Sequence, residues 1–197
     1  FNVRKELVNA LLENGHEIFI SSARSNKLDY FENIGCQILE APLEQHGMNP
    51  AKDLKLLLHY RRLIRRLKPD VVLTFTQKPN IYGAYVCRKL KVPCIATITG
   101  LGTGVHDSHW LLRKFILSLY RIAFRRISLV FFQNQGNYEL MKNKKIVGDN
   151  IKMISGSGVN LDNFAFEPYP VDDGTIRILF VGRMLRDKGT EEFFECI

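Results

Sequence analysis

Four stretches of this 197-residue chain set residues able to hold an anion just past the ends of apolar runs. In ILFVGRMLRDKGTEEFFECI an apolar strand runs into Gly182-Arg183 and then Asp187-Lys188-Gly189, ahead of an acidic, aromatic helix. A glycine there lets the backbone approach a ligand, an arginine offers a planar fork to oxyanions, and a lysine offers a compact point charge. Thr76, Gln77, Lys78 and Asn80 follow the apolar run VVLTF and open a helix, where backbone N–H groups and a lysine favour an anion. The same residues would equally serve as a plain helix start, with Pro79 fixing the turn and Asn80 capping. Thr99 and Gly100 close a third run, and Ser157 and Gly158 lie in the small-residue stretch ISGSGVNLDNF at 154–164.

Rival chemistries are scarce. No DxD, GxxxxGK[ST], GxSxG or HExxH occurs, and Gly100-Leu101-Gly102-Thr103-Gly104 lacks the spacing of a dinucleotide fingerprint. Cys36, Cys87, Cys94 and Cys196 show no CxxC pairing; three sit in or beside apolar runs and read as buried free thiols. His106 and His109 read as surface histidines. No metal site and no cofactor is expected.

Charge is unevenly spread: residues 1–127 hold 20 Lys/Arg against 10 Asp/Glu, and residues 128–197 hold 8 against 10. A basic surface of this kind attracts diphosphates, anionic lipid or nucleic acid. Nucleic acid is set aside, because no zinc-finger spacing, RNP-type strand or recognition-helix pair is present. In helix 52–67, Arg62 and Arg66 stand opposite an apolar face of Leu56, Leu57, Tyr60, Leu63, Ile64 and Leu67. In segment 110–126, a core stripe of Leu112, Phe115, Ile116, Leu119, Ile122 and Ala123 leaves Trp110, Leu117 and Phe124 among Lys114 and Arg121. Apolar side chains beside cations suit an interfacial helix, so an anionic membrane surface is a candidate partner, with solvated sheet-covering helices as the alternative. No apolar run reaches the roughly 18–20 residues a membrane span needs, and no secretory leader is evident, so a cytoplasmic, peripherally membrane-bound protein is expected.

The elements that must position these residues alternate. Helix, strand 17–22, a helix near 27–34, strand 37–40, helix 52–67 and strand 71–75 come first. Helix 80–90, strand 94–98, a helix near 109–126, strand 129–133, a helix near 135–143 and strand 151–154 follow. This order predicts a Rossmann-like, doubly wound parallel sheet over 1–165, whose first strand would precede the chain's opening helix and is missing. Ligands of such sheets bind at the carboxyl ends of the strands, here the loops after 22, 75, 98, 133 and 154. FEPYPVDDGT at 166–175 has the composition of a linker, and 176–197 would supply the first strand and helix of a second, truncated domain.

Three of these segments carry a resemblance. ILFVGRMLRDKG resembles the first strand–loop–helix of the C-terminal domain in family 4 of the retaining glycosyltransferases, which have the GT-B fold. The resemblance implies that Gly182, Arg183 and Lys188 contact the diphosphate of a nucleotide-sugar donor, a uridine diphosphate sugar. ISGSGVNLDNF is similar to the segment closing the N-terminal domain, with Asn160 where the family has Asp, which implies that Ser157 and Gly158 line the interdomain cleft. TFTQKPNIYGAYVCRKLKVPCIATITGLGTG is similar to runs in members acting on polyprenyl-diphosphate-linked sugars in bacterial surface-polysaccharide assembly. This implies that Gln77, Lys78, Asn80, Thr99 and Gly100 line the acceptor side.

The implied reaction moves a hexose or N-acetylhexosamine from the nucleotide to a lipid-linked saccharide with retained configuration. Many members have His-Gly where this chain has Thr99-Gly100, so no catalytic residue is carried over. The acidic Glu-x7-Glu element of the donor domain does not occur either, so activity is expected to need residues outside this sequence. A sugar-nucleotide 2-epimerase of the same architecture, or a non-catalytic sugar-binding scaffold, are the alternatives.

Overall fold

The computed structural model describes residues 4–43, 49–102, 105, 110–169, 173–182, 184 and 189–196. The chain divides into two compact units, residues 1–160 and 161–197, a boundary a few residues before the expected one.

The first unit begins with α1 (Lys5–Glu13), released by Gly15 in a left-handed conformation, and β1 (Phe19–Ser22). A 3-10 turn (Asn26–Leu28) capped by Ser25 leads into α2 (Asp29–Asn33) and β2 (Gln37–Glu40). Asn49 then starts α3 (Pro50–Leu67): its side chain accepts from the N–H groups of Ala51 and Lys52, and Pro50 costs nothing where no donor is needed. Leu56, Tyr60 and Ile64, at a spacing of four, turn inward.

β3 (Val72–Phe75) is followed by α4, whose first turns form a π-helix (Pro79–Gly83) before regular α-helix (Ala84–Leu90). β4 (Cys94–Ile98), α5 (Trp110–Ala123) with a 3-10 extension (Phe124–Arg126), β5 (Leu129–Phe132), α6 (Gln135–Asn143) and β6 (Ile151–Met153) complete the unit.

All strand pairs among the described residues are parallel. β1 pairs with β2, and a separate four-stranded sheet runs β3-β4-β5-β6. Central strands β4 and β5 carry the core, with Ala96, Ile98, Val130 and Phe132 fully buried alongside Leu56, Cys87, Leu101 and Tyr120. Burying each large side chain stabilises by about 1.5–3 kcal/mol. The parallel α/β architecture is the one the sequence predicts, and the strand bounds agree to within a residue or two. Cys36, Cys87 and Cys94 are buried free thiols and Cys196 is exposed.

The second unit departs from expectation. Residues 175–181 form no strand, and Ile176, Ile178, Leu179 and Val181 are exposed. An apolar strand is stable only when neighbours complete its hydrogen bonds and cover its faces, and among the described residues none pairs with it. The expected helix does form as α7 (Thr190–Glu195), and Phe180 packs on Phe193 at 5.2 Å between ring centroids.

Candidate functional site

The carboxyl ends of β3 to β6 gather polar side chains within the first unit. Directly past β3, Thr76 takes a left-handed conformation, φ 68°, which a β-branched residue adopts at a cost of about 1–3 kcal/mol. The turn sends the chain into α4, where Asn80 is buried, its amide donating to the Thr97 carbonyl at 3.0 Å. Asn80 therefore ties the start of α4 to the end of β4 rather than capping a helix, and Thr99 and Gly100 emerge just beyond this tie, Thr99 exposed. Gln77 lies against the same loop: Gly102, at φ 75°, brings its backbone so close that a Cβ there would stand 3.0 Å from the Gln77 side-chain oxygen Oε1. A side chain at 102 would displace Gln77.

Lys78 is nearly buried and ion-paired. Its Nζ lies 2.9 Å from the Asp53 carboxylate, the two side chains 17% and 10% exposed. Tyr82 joins the pair: burial, and then the Asp53 carboxylate, push its phenol up to about 12. Lys78 thus locks α3 to the β3–α4 turn, and Asp53 already balances its charge. The carboxylate was legible as a residue on the inward face of α3, one turn before Leu56, Tyr60 and Ile64.

Two residues that sequence reasoning did not single out complete this edge. Arg4, at the start of α1, lays its guanidinium over the Phe75 ring at the end of β3, 4.1 Å from the centroid, and donates to Ser157 Oγ at 3.3 Å. Gln133, the residue after β5, donates from Nε2 to the same Oγ at 3.1 Å. Ser157, which follows β6, is exposed, as is Gly158. Beyond β2, residues 41–43 with Lys52 and Lys55 border a cavity of about 330 Å³.

The donor-side expectation falls elsewhere. Gly182 is exposed in the second unit, whereas Arg183 and Lys188, like His106 and His109, lie outside the described residues.

The membrane-facing set needs correction. Arg62, Arg66, Trp110, Lys114 and Arg121 are exposed, although Arg121 also donates to the Lys144 carbonyl. Leu117 and Phe124 are core residues, 8% and 4% exposed. Phe115 and Ile122, expected inside, are exposed instead. α5 is apolar on nearly every side, so periodicity cannot choose its inner face. Packing against α4 through Ile116, Tyr120 and Ala123, with Phe124 edge-on to Tyr120, rotates Leu111, Phe115 and Ile122 outward.

A Rossmann-like parallel sheet with polar residues collected at its carboxyl edge is the architecture of the N-terminal half of a GT-B glycosyltransferase. Residues 3–134 match the model of the family described as "Glycosyl transferase 4-like", and the chain belongs to that family. It is 24% identical, over 211 aligned positions, to a Campylobacter jejuni subsp. jejuni protein named N,N'-diacetylbacillosaminyl-diphospho-undecaprenol alpha-1,3-N-acetylgalactosaminyltransferase. That alignment takes in 99% of this chain and 56% of the relative, so the chain spans about half the length of the curated relative it matches. Among solved structures the fold is similar to that of Acinetobacter baumannii MurG, with a TM-score of 0.52 and 12% identity, over 82% of this chain and 43% of that one.

Proposed function

We propose that this chain is the acceptor-side portion, and the opening of the donor side, of a retaining glycosyltransferase. The enzyme moves a hexose or N-acetylhexosamine from a nucleotide-sugar, a uridine diphosphate sugar, to a hydroxyl of a polyprenyl-diphosphate-linked saccharide. The observation that carries this reading is the similarity, over 99% of the chain, to a transferase named for a diphospho-undecaprenol acceptor. The polar carboxyl edge of β3 to β6 supports it, because open parallel sheets bind ligands there.

In this reading Gln77, Thr99 and Gly100 meet the acceptor saccharide, while Lys78 and Asn80 fix the loops that present them. Ser157 and Gly158 line the cleft. Gly182, Arg183 and Lys188 hold the donor diphosphate and stabilise it as it leaves. The work is done at the inner face of the plasma membrane. No helix among the described residues is long and apolar enough to cross a membrane. Support for a surface association comes from the outer side of α5, where Trp110, Leu111, Phe115 and Ile122 are 62%, 55%, 52% and 45% exposed beside Lys114 and Arg125. On α3, Leu54 and Leu58 are exposed among Arg61, Arg62, Arg65 and Arg66.

The test is release of nucleoside diphosphate by the full-length protein from a panel of nucleotide-sugars, with and without lipid-linked saccharide. Release that requires the lipid-linked saccharide is expected. Conversion of a nucleotide-sugar to its epimer without acceptor would replace the reading with the epimerase, and inertness toward the whole panel would replace it with a binding scaffold. Sedimentation with anionic liposomes at low salt, lost at high salt, is the expected behaviour of the membrane face.

A further inference from the structure

Two oxygens in the core of the first unit are buried without a hydrogen bond of their own: Asn80 Oδ1, in a residue 1% exposed, and the hydroxyl of Tyr120, which is fully buried. Asn80 stands second in the π-helical turn that opens α4, and α5, which carries Tyr120, packs against that turn. The phenol faces the Asn80 amide: burial holds its pKa well above the ordinary value, and the amide offsets part of the rise. Each oxygen left unmet costs about 1–3 kcal/mol, a cost that phenylalanine at 120 would avoid while keeping the edge-on contact with Phe124. A core that retains both groups gains something that packing alone does not supply.

The amide leads directly to the carboxyl edge of the sheet. Asn80 Nδ2 donates to the Thr97 carbonyl at 3.0 Å, and the Gln133 N–H donates to the next carbonyl, that of Ile98, at 3.2 Å. Two successive carbonyls at the end of β4 are thus held, and Ile98 and Leu101, both fully buried, fix the chain on either side of Thr99 and Gly100. Thr99, exposed, leaves the sheet in the direction these holds set. The side-chain amide of Asn80 is planar, so any tilt of it moves the N–H that holds Thr97. A phenol hydrogen-bonded to the amide stops that tilt.

We infer that Tyr120 is a positioning residue for the proposed transfer, acting through Asn80: hydrogen bonding between phenol and amide sets the Thr97 carbonyl, and with it the placement of Thr99 and Gly100 against the acceptor saccharide. The part played by Thr99 and Gly100 rests on the proposed function, whereas the hold of Tyr120 on them does not. Tyr120 itself is fully buried and touches no substrate.

The experiment compares Tyr120→Phe with the unaltered full-length protein in two measurements: the backbone amide resonances of Thr99 and Gly100 without ligand, and the KM values for lipid-linked saccharide and for nucleotide-sugar. Loss of the hydroxyl should shift both resonances and raise the KM for the lipid-linked saccharide about 2- to 10-fold, the worth of one neutral hydrogen bond, with the nucleotide-sugar KM unchanged. Asn80→Ala should move the same resonances, and adding Tyr120→Phe to it should move them no further. Thermal melting checks that each variant folds. Unmoved resonances, additive shifts in the double variant, or equal losses toward both substrates would overturn the inference. Because the resonances are read without turnover, they stand apart from the activity panel: a protein that transfers no sugar sinks the proposed function, whereas the hold of Tyr120 on the edge fails on the resonances and their additivity.

Discussion

Leu129-Val130-Phe131-Phe132 and Ile178-Leu179-Phe180-Val181 are almost interchangeable as strings of apolar residues, yet they end in opposite environments. The first is β5, paired in parallel on one side with β4 and on the other with β6, and Val130 and Phe132 are fully buried. The second makes no strand, and Leu179 and Val181 are 83% and 84% exposed. Composition supplies the tendency, and neighbours on both edges decide the outcome, because an unpaired backbone gains nothing from leaving water. The same contrast separates the two ligand-binding surfaces proposed above. The residues proposed for the acceptor side stand at the ends of paired strands, with Lys78 and Asn80 held by Asp53 and the Thr97 carbonyl, whereas Gly182 follows a segment that pairs with no strand among the described residues.

The largest expected effect comes from placing one charge in each string. Val130→Asp buries an unpaired carboxylate and should cost the first unit more than about 4 kcal/mol, enough to prevent folding, as read by urea denaturation. Val181→Asp should change the same transition by less than about 0.5 kcal/mol. Similar losses from both would erase the contrast.

Next in size is the buried ion pair. Lys78→Met leaves Asp53 without its partner and should cost about 3 kcal/mol, while the double variant Lys78→Met with Asp53→Leu should regain much of it in a thermodynamic cycle. If the single change were neutral, Lys78 would have to be a solvent-facing cation rather than the lock between α3 and the β3–α4 turn.

The smallest effect is on pH dependence. Burial, and then Arg62 and Arg66, hold the His59 imidazole below its ordinary 6.5, with its ring 3.3 Å from Ser21 Oγ. The unfolded chain therefore takes up this proton first as pH falls. The stability His59 contributes is complete above about 6.5 and is lost between that value and the lower folded-state value. His59→Gln should flatten the melting temperature between pH 7 and 5. The exposed Asp173–Arg177 pair in the second unit acts in a different window, because hydrogen bonding to Arg177 and to the Thr175 amide lowers Asp173 from 3.8 to about 2.

How far the fold could be read from sequence follows the same physics. Buried parallel strands announce themselves as short apolar runs, and Cys94–Ile98 was legible residue for residue. α5 was not, because apolar residues on nearly all sides make its inner face a matter of packing, and so Leu117 and Phe124 changed places with Phe115 and Ile122. At the site, position was legible and partnership was not. Lys78 was found from its place after a strand, but the carboxylate that neutralises it sits 25 positions earlier on another helix. Arg4 escaped notice because its meaning lies in Phe75 and Ser157, contacts that no local pattern encodes.

In the proposed reading the acceptor lies across the carboxyl ends of β3 to β6. A polyprenyl-diphosphate-linked saccharide carrying a diazirine, photolysed with the full-length protein and followed by peptide mapping, tests it most directly. Labels are predicted in 75–78, 99–102, 133–134 and 155–158, and lost on competition with unlabelled acceptor. Labels confined to the outer faces of α3 and α5, unchanged by competitor, would contradict it.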